Sequence, residues 1–238
     1  MDLKEVDILG EKIGNHWYYR SKAKAVSQLL KTKKVYKILD VGAGSGFFSK
    51  YLLSHSQAKE AWCVDISYDN DSEALEAGKP LYFRRSINTI DADLVLLMDV
   101  LEHVDDDVAL LKDYVDKVPK GTLFLISVPA FDILWSGHDE FLGHKRRYTL
   151  RQLEDVVKLS TLDVKKGVYY FAVALPIAAA IRGIDKLFSN NSQPPKSQLK
   201  QHHPIINGAL DAFSGAEVHI MKFNRFAGLT IICLAEKI

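Results

Sequence analysis

Apolar runs alternate with amphipathic stretches along most of the chain, which predicts strands alternating with helices. Four unbroken runs suit strands buried on both faces of a parallel sheet, at about 35–41, 61–65, 93–98 and 122–128. Less regular runs predict further strands at 81–83, 163–170 and 228–235. The polar residues 67–79 predict only a short helical stretch. The pattern therefore predicts an α/β fold with a doubly wound, mostly parallel, seven-stranded sheet and helices on both faces.

Apolar spacing and capping signals place the helices. Residues 16–33 carry apolar side chains at helical spacing. Acids near Asp106 favour the N-terminus of a second helix, because they complement the helix dipole. Thr149 and Gln152 form a capping box that begins a third helix.

The chain after residue 170 departs from this alternation. Residues 168–181 carry no charge, but a run of 14 residues is shorter than the roughly 20 that span a bilayer. Helical spacing predicts an apolar stripe that comprises Ile177, Ile181, Ile184 and Leu187. We expect the stripe to pack over a pocket or against a partner subunit; the alternative is a lid for a lipid-like substrate or contact with a membrane face. A polar loop, 189–204, and a short helix, 205–213, follow.

The glycine-rich turn after the first predicted strand is the strongest functional signal. Gly42, Gly44 and Gly46 follow the apolar run directly. Glycines at a strand-to-helix turn let a ligand approach bare backbone, because no Cβ blocks the way. Asp65, at the end of the next predicted strand, is placed to bind a ribose diol. These residues imply a cofactor that contains a nucleoside.

The pattern Asp40-x-Gly42-x-Gly44-x-Gly46 resembles motif I of the class I S-adenosylmethionine (SAM) dependent methyltransferases, a Rossmann-like fold. Its glycine spacing differs from the G-x-G-x-x-G of nicotinamide-dependent enzymes. The resemblance implies that Gly42 to Gly46 wrap the methionine end of SAM, near Asp40, and that Asp65 accepts from both ribose hydroxyls. It also implies that the last strand is antiparallel. The expected cofactor-binding residues are Trp17, Tyr19, Arg20, Asp40, Gly42, Ala43, Gly44, Gly46, Asp65, Ile66, Met98 and Asp99.

A second group, Asp99, Glu102 and His103, follows the strand predicted at 93–98. On a helical turn these three side chains share a face, and two carboxylates with an imidazole suit a divalent cation. The stretch resembles the Glu-x-x-Glu-His signature of ubiquinone-biosynthesis O-methyltransferases and small-RNA 2′-O-methyltransferases, with Asp99 replacing the first Glu. The resemblance implies a metal site formed by Asp99, Glu102 and His103, with a downstream histidine, His138 or alternatively His144, as the fourth ligand. The alternative is that Glu102 and His103 orient the loop, with His103 as a general base.

A third group lies in the segment 130–148, after the strand predicted at 122–128. The pattern Trp-Ser-x-His-Asp, followed by His-x-Arg-Arg-Tyr-Thr, resembles a bacterial group of SAM-dependent methyltransferases of small-molecule type. The aromatic and basic segment 16–20 matches the same group. Its candidate catalytic residues are His138, Asp139 and His144, beside His103, with Asp139 fixing the tautomer of either neighbouring histidine. Arg146 and Arg147 either bind an anionic substrate group or pair with local acids.

Composition narrows the functional classes. The net charge of +1 and the lack of a basic tract disfavour nucleic acid as a partner. Cys63 and Cys233 lie in apolar strands, which predicts buried thiols in a cytoplasmic protein. The 238 residues suit one domain, 1–238. Within it we expect a lid helix at 16–33, an active-site loop at 130–148 and a helical substrate-side insertion at 171–213.

The sequence therefore predicts an enzyme that transfers a methyl group from SAM to a small-molecule acceptor, with an oxygen as the favoured acceptor atom. A divalent cation is the candidate second cofactor. The expected partner is a small or lipid-like substrate, with peripheral membrane contact as the alternative, and the oligomeric state is open. The rival functions are a non-catalytic SAM-binding regulatory or assembly subunit, an NAD-dependent oxidoreductase and an RNA 2′-O-methyltransferase.

Overall fold

Eight strands form one sheet in the computed structural model, which describes residues 10–188 and 204–238. Continuous apolar runs produce the central strands, whose side chains are buried on both faces. In chain order the strands are β1 (Lys37–Val41), β2 (Glu60–Val64), β3 (Ser72–Glu76), β4 (Lys79–Arg84), β5 (Leu94–Met98), β6 (Leu123–Pro129), β7 (Leu162–Tyr170) and β8 (Thr230–Lys237).

The strand order is β3-β4-β2-β1-β5-β6-β8-β7. Strands β4, β2, β1, β5 and β6 run parallel, and β8 pairs antiparallel with both β6 and β7. The expected Rossmann-like α/β architecture and antiparallel last strand are therefore confirmed. The chain winds from β1 outward to β4 and then returns to β5, so the order reverses beside β1. Such a switch point is where ligands bind in open α/β sheets.

The predicted strand count of seven is wrong, because residues 67–79 contain a strand rather than a helical stretch. Strand β3 pairs antiparallel with β4 at the edge of the sheet and is almost entirely exposed. Its solvent-facing position explains why it lacks an apolar run. Ala77 and Gly78, with φ of +50° and +74°, form the two-residue turn of this hairpin.

Seven α-helices accompany the strands in the described part of the chain, with one apolar cluster on each sheet face. Side chains of α1, α2 and α7 belong to one cluster, and those of α3 and α5 belong to the other. The helices are α1 (Trp17–Leu30), α2 (Phe47–His55), α3 (Asp107–Asp116), α4 (Gly137–Leu142), α5 (Leu150–Leu159), α6 (Leu175–Phe188) and α7 (Pro204–Ile220).

Most of the predicted helix signals recur in the structure. Asp106 caps α3 by accepting from the Ala109 backbone N–H at 2.8 Å, and Thr149 forms the capping box of α5 with Gln152. The helix predicted at 205–213 is longer, because α7 continues to Ile220 against α1. Of the predicted loop 189–204, residues 189–203 lie outside the described residues.

The apolar stripe of α6 is not buried where its side chains are described. Ile177 and Ile181 are both exposed, and the side chains of Ile184 and Leu187 lie outside the described set. Cys63 and Cys233 are buried free thiols, as predicted. Within residues 10–188 and 204–238, none of the helices combines the length and apolar character that crossing a membrane requires.

Candidate active site

The predicted chemistry gathers at one edge of the sheet. The glycine turn follows β1, Asp65 follows β2, the segment 99–103 follows β5 and the segment 130–148 follows β6. These strands are neighbours and run parallel, so their carboxyl ends lie side by side. Both halves of the site therefore flank the switch point.

The glycine turn wraps back onto β2 and leads into α2. The backbone N–H of Gly42 donates to Val64 O at 2.8 Å, and Gly46 ends the turn with φ of +71°. A Cβ at Gly46 would lie 3.2 Å from both Cys63 Sγ and a ring carbon of Phe83. Both the left-handed backbone and the close contact therefore require glycine here.

Two carboxylates flank this turn. Asp40, buried at the end of β1, accepts from Ser49 Oγ at 2.8 Å. Asp65 accepts from the Gly44 backbone N–H at 3.0 Å and from the Ser67 backbone N–H at 3.0 Å. Burial raises the pKa of Asp65, but the hydrogen bonds from Ser67 and Gly44 outweigh burial and hold the pKa below its usual value. Asp65 is therefore an ionised acceptor beside bare backbone.

The side chains around Asp65 fit a nucleoside. Ile66, the next residue, is 85% exposed, which offers an apolar surface to a flat base. The Tyr68 hydroxyl donates to Gly44 O at 2.6 Å and fixes the opposite side of the turn. Glycine backbone, an ionised acid for a ribose diol and an apolar surface for a base match the chemistry of SAM. The residues present therefore fit the expected cofactor.

Asp99 occupies a left-handed backbone position after β5, with φ of +59°. Its carboxylate accepts from the Lys22 ammonium, which is completely buried, and from Ser127 Oγ at 3.1 Å. Burial lowers the pKa of Lys22, but the charge of Asp99 more than offsets this, and the pKa lies above its usual value. An ion pair thus joins α1 to the carboxyl end of β5.

Glu102 is fully buried, and within the described chain neither carboxylate oxygen has a hydrogen-bond partner. Burial, with the nearby charge of Asp99, raises the pKa of Glu102 well above its usual value. Glu102, His103 and His144 each offer one atom that could bind a metal ion, and these three atoms all lie within 4.8 Å of one another. The His103 and His144 rings meet edge to face, with centroids 4.7 Å apart. We call these three residues the acceptor cluster.

Asp139 orients His144 within this cluster. The Asp139 Oδ1 to His144 Nδ1 distance is 2.8 Å, and Arg147 donates to both Asp139 oxygens, at 2.8 and 3.0 Å. Burial raises the pKa of Asp139, but the bonds from His144 and Arg147 outweigh burial and keep it well below its usual value. Because Asp139 is ionised, Nδ1 of His144 carries the proton and donates it. In the neutral ring, Nε2 of His144 is therefore the nitrogen that can accept a proton.

Both arginines of the segment 130–148 pair with local acids. Arg147 is buried against Asp139, and Nη1 of Arg146 lies 3.3 Å from Oδ2 of Asp107. Arg146 also donates to the backbone carbonyls of Val104 and Asp105. Of the two alternatives, the structure therefore shows pairing with local acids. The hydrogen bonds that both arginines donate hold together the loops around the acceptor cluster.

The sequence model of a family described as "Methyltransferase domain" matches residues 15–164, which is more than half of the chain. The chain belongs to this methyltransferase family. A search of curated proteins found no match.

Solved structures share the fold at low sequence identity. A chain from the complex between the Haloferax volcanii Trm112 methyltransferase activator and a candidate methyltransferase has a TM-score of 0.57 and 14% identity, covering 94% of this chain and 91% of that one. The plantazolicin methyltransferase BpumL in complex with SAH has a TM-score of 0.53 and 14% identity, and the match covers 93% of this chain and 84% of that one. A SAM dependent methyltransferase from Archaeoglobus fulgidus has a TM-score of 0.50 and 16% identity, and the match covers 92% of this chain and 96% of that one.

The protein is therefore a SAM-dependent methyltransferase, and the oxidoreductase alternative is wrong. The structure brings Asp40, Gly42, Ala43, Gly44, Gly46 and Asp65 together around the turn, with Ile66 beside them and Met98 and Asp99 at the end of β5. Each of these residues remains a proposed cofactor contact.

The N-terminal residues of the predicted cofactor set have other partners. Tyr19 is buried against Phe47 and Phe48 in the core. Arg20 pairs with Asp211 of α7 at 3.3 Å. Trp17 packs edge to face on Phe171, with ring centroids 5.4 Å apart, and its buried indole N–H has no hydrogen-bond partner among the described residues.

The acceptor cluster differs from the predicted metal-binding set. Asp99 is paired with Lys22, and of the two candidate histidines it is the alternative, His144, that lies beside Glu102 and His103. Burial lowers the pKa of His138 to about 4, so this ring is neutral and weakly basic at pH 7. Sequence reasoning missed Lys22, because a lysine within an amphipathic helix has no local signal of burial.

Proposed function

We propose that the methyltransferase transfers a methyl group from SAM to an oxygen of a small-molecule acceptor bound at the acceptor cluster. The observation that carries this proposal is the half-buried histidine pair, His103 and His144, with His144 oriented by the ionised Asp139. A hydroxyl must lose its proton when it takes a methyl group, so an oxygen acceptor needs a base at this position. His144 suits the role of this base because Asp139 orients its ring and because it lies at the carboxyl ends of the parallel strands.

SAM, when bound, supplies the methyl group as a sulfonium electrophile. Asp65 binds the ribose and the glycine turn wraps the methionine end, and together they hold SAM at the carboxyl edge. Nε2 of His144 accepts the proton of the acceptor hydroxyl as the oxygen attacks, and Asp139 stabilises the imidazolium that forms. Orientation of the two reactants is worth about 7–11 kcal/mol of the barrier.

Three segments frame the acceptor side in this proposal. Helix α1, the predicted lid, contributes Lys22, and the segment 130–148 contributes Asp139 and His144. The predicted substrate-side insertion contributes Arg182 of α6, which donates to Leu134 O at 2.9 Å. This hydrogen bond supports a placement of α6 beside the segment 130–148, which we call the acceptor loop.

A matched panel of acceptors tests the acceptor atom. Phenol, catechol, aniline and thiophenol share one ring and differ in the nucleophile, and formation of S-adenosylhomocysteine measures turnover of each. We expect turnover with the hydroxyl compounds and at least about tenfold less with aniline. Turnover confined to the amine or the thiol would refute an oxygen acceptor. SAM binding with no turnover of any compound would instead favour the non-catalytic alternative.

A divalent cation at the acceptor cluster is the second candidate, because Glu102 is a buried carboxylate without a partner among the described residues. One carboxylate and two imidazoles suit Mn²⁺, Fe²⁺ or Zn²⁺. Asp139 would then accept from Nδ1 of His144 and hold the ring in orientation, as carboxylates commonly do for metal-bound histidines. Such a cation would supply charge to neighbouring acceptor oxygens.

Mn²⁺ alone, without acceptor, tests this candidate by electron paramagnetic resonance. We expect bound Mn²⁺ in the unaltered protein and affinity lower by about 100-fold in Glu102→Gln, because a neutral amide replaces the charged ligand. Glu140→Gln changes an exposed acid of the same loop and should bind as tightly as the unaltered protein. Equal affinity in both variants would show that Mn²⁺ binds elsewhere.

A further inference from the structure

Exposed apolar side chains are concentrated on the segments 171–183 and 207–228. These segments hold seven of the thirteen large hydrophobic side chains that are exposed in the described part of the chain. We call this set the apolar rim; each member is between 52% and 87% exposed, and the members are Val173, Ile177, Ile181, Phe213, Ile220, Phe223 and Phe226. Exposed apolar side chains that lie together on a protein surface commonly mark an interaction site.

Hydrogen bonds hold the parts of the apolar rim together. Glu217 of α7 accepts from the backbone N–H of Ala172 at 2.7 Å, which fixes the start of the segment that leads into α6. Asn224 donates to Tyr169 O at 3.2 Å, which fixes the turn that carries Phe223 and Phe226. The rim is therefore built from neighbouring pieces of chain at the end of β7.

The apolar rim lies at the same edge of the sheet as the active site. Strand β8 runs antiparallel, so the turn that precedes it sits at the carboxyl ends of β6 and β7. The Ala130 backbone N–H donates to Leu229 O at 2.9 Å and joins this turn to the start of the acceptor loop. Whatever covers the rim therefore also lies beside the entrance for the methyl acceptor.

Acidic and basic side chains on these two segments differ in their exposure to solvent. The acids face inward: Glu217 is buried, and Asp211 pairs with Lys24 at 2.8 Å. The exposed cations of these segments are Lys222 and Arg225, and Arg225 pairs with Glu154 at 2.9 Å, so Lys222 supplies the exposed positive charge. Exposed phenylalanines beside an exposed lysine, with no exposed acid among the described residues of these segments, match the chemistry of an anionic lipid surface.

We propose that the apolar rim docks the methyltransferase on the surface of an anionic lipid bilayer. Phe223 and Phe226 enter the boundary between headgroups and acyl chains, and Lys222 contacts the anionic headgroups. A lipid-like acceptor then reaches the active site from the membrane side. The proposal concerns attachment, so it stands or falls independently of the acceptor atom.

Vesicle flotation of the full-length protein tests this docking. Two kinds of vesicle are compared. Vesicles of phosphatidylcholine carry no net charge and report apolar attraction alone. Vesicles of phosphatidylcholine mixed with the anionic phosphatidylglycerol add electrostatic attraction. We expect binding to the mixed vesicles, weakened about tenfold or more in the double variant Phe223→Ser and Phe226→Ser. Lys222→Gln should weaken binding to the mixed vesicles about fivefold and leave binding to phosphatidylcholine unchanged.

Leu75→Ser is the matched control, because Leu75 is equally exposed but lies on β3, at the opposite end of the sheet. This variant should bind vesicles like the unaltered protein, and all variants should keep the same SAM affinity by calorimetry. No vesicle binding by the unaltered protein, or full binding by the double variant, would overturn the proposal. A dimer that the double variant converts to a monomer would overturn it in favour of a second copy of the chain.

Discussion

Replacement of Asp65 by alanine should weaken SAM binding by about 100-fold or more. The carboxylate is ionised and is the proposed acceptor for both ribose hydroxyls, and hydrogen bonds to a charged group contribute about 1.5–3 kcal/mol each. The substitution also removes the acceptor for the Gly44 backbone N–H, which holds the glycine turn in shape. Isothermal titration calorimetry with SAM measures the loss directly.

Asp116→Ala is the matched control for this experiment. Asp116 is an exposed acid at the end of α3, so the same chemical change there should leave SAM affinity within about twofold. Asp65→Asn keeps the shape of the side chain and should bind SAM with intermediate affinity. SAM affinity in Asp65→Ala within about threefold of the unaltered protein would mean that Asp65 does not hold the ribose.

The parts of the fold that the sequence predicts correctly are those with local signals. The buried strand β5 reads as one apolar run, and the α5 helix begins at a capping box that is formed in the structure. Strand β3 lacks such a signal, because an exposed edge strand needs no apolar residues to pair with β4. Helix α7 extends beyond its predicted end because it packs on α1, which is a tertiary effect.

The cofactor half of the site was predictable for the same reason. The glycine turn and Asp65 are fixed by short-range geometry within one strand–helix–strand unit. The acceptor half depends on contacts between distant elements: Lys22 and Asp99 are 77 residues apart in the chain. The sequence places Asp99, Glu102 and His103 near one another and offers His138 and His144 as further members, but it carries no sign that Lys22 pairs with Asp99 or which of the two histidines completes the cluster.

The pairing of Lys22 with Asp99 changes what Glu102 can do. One buried ammonium lies near two carboxylates, and Asp99 accepts its hydrogen bond while Glu102 keeps none among the described residues. A buried carboxylate without a partner costs free energy, so the site stabilises a positive charge or a hydrogen-bond donor at Glu102. Either a cation or an acceptor hydroxyl meets that requirement.

The second large effect is expected at the proposed base. His144→Gln should lower kcat by about 100- to 10,000-fold for a hydroxyl acceptor that is neutral at the assay pH, because no group then takes the proton. SAM affinity should stay within about twofold, since the glycine turn and Asp65 are untouched. Asp139 keeps its bonds to Arg147 and Ser136, so the acceptor loop should remain folded. Steady-state formation of S-adenosylhomocysteine gives kcat.

The pKa of the acceptor separates a base from a purely structural residue. A nitro-substituted phenol that is already ionised at the assay pH needs no base, so His144→Gln should lower its kcat by less than about tenfold. His55→Gln, a change of an exposed histidine on α2, should leave both acceptors unaffected. An equal loss with the neutral and the ionised phenol would contradict a proton-accepting role and leave His144 as a cation ligand or a positioning residue.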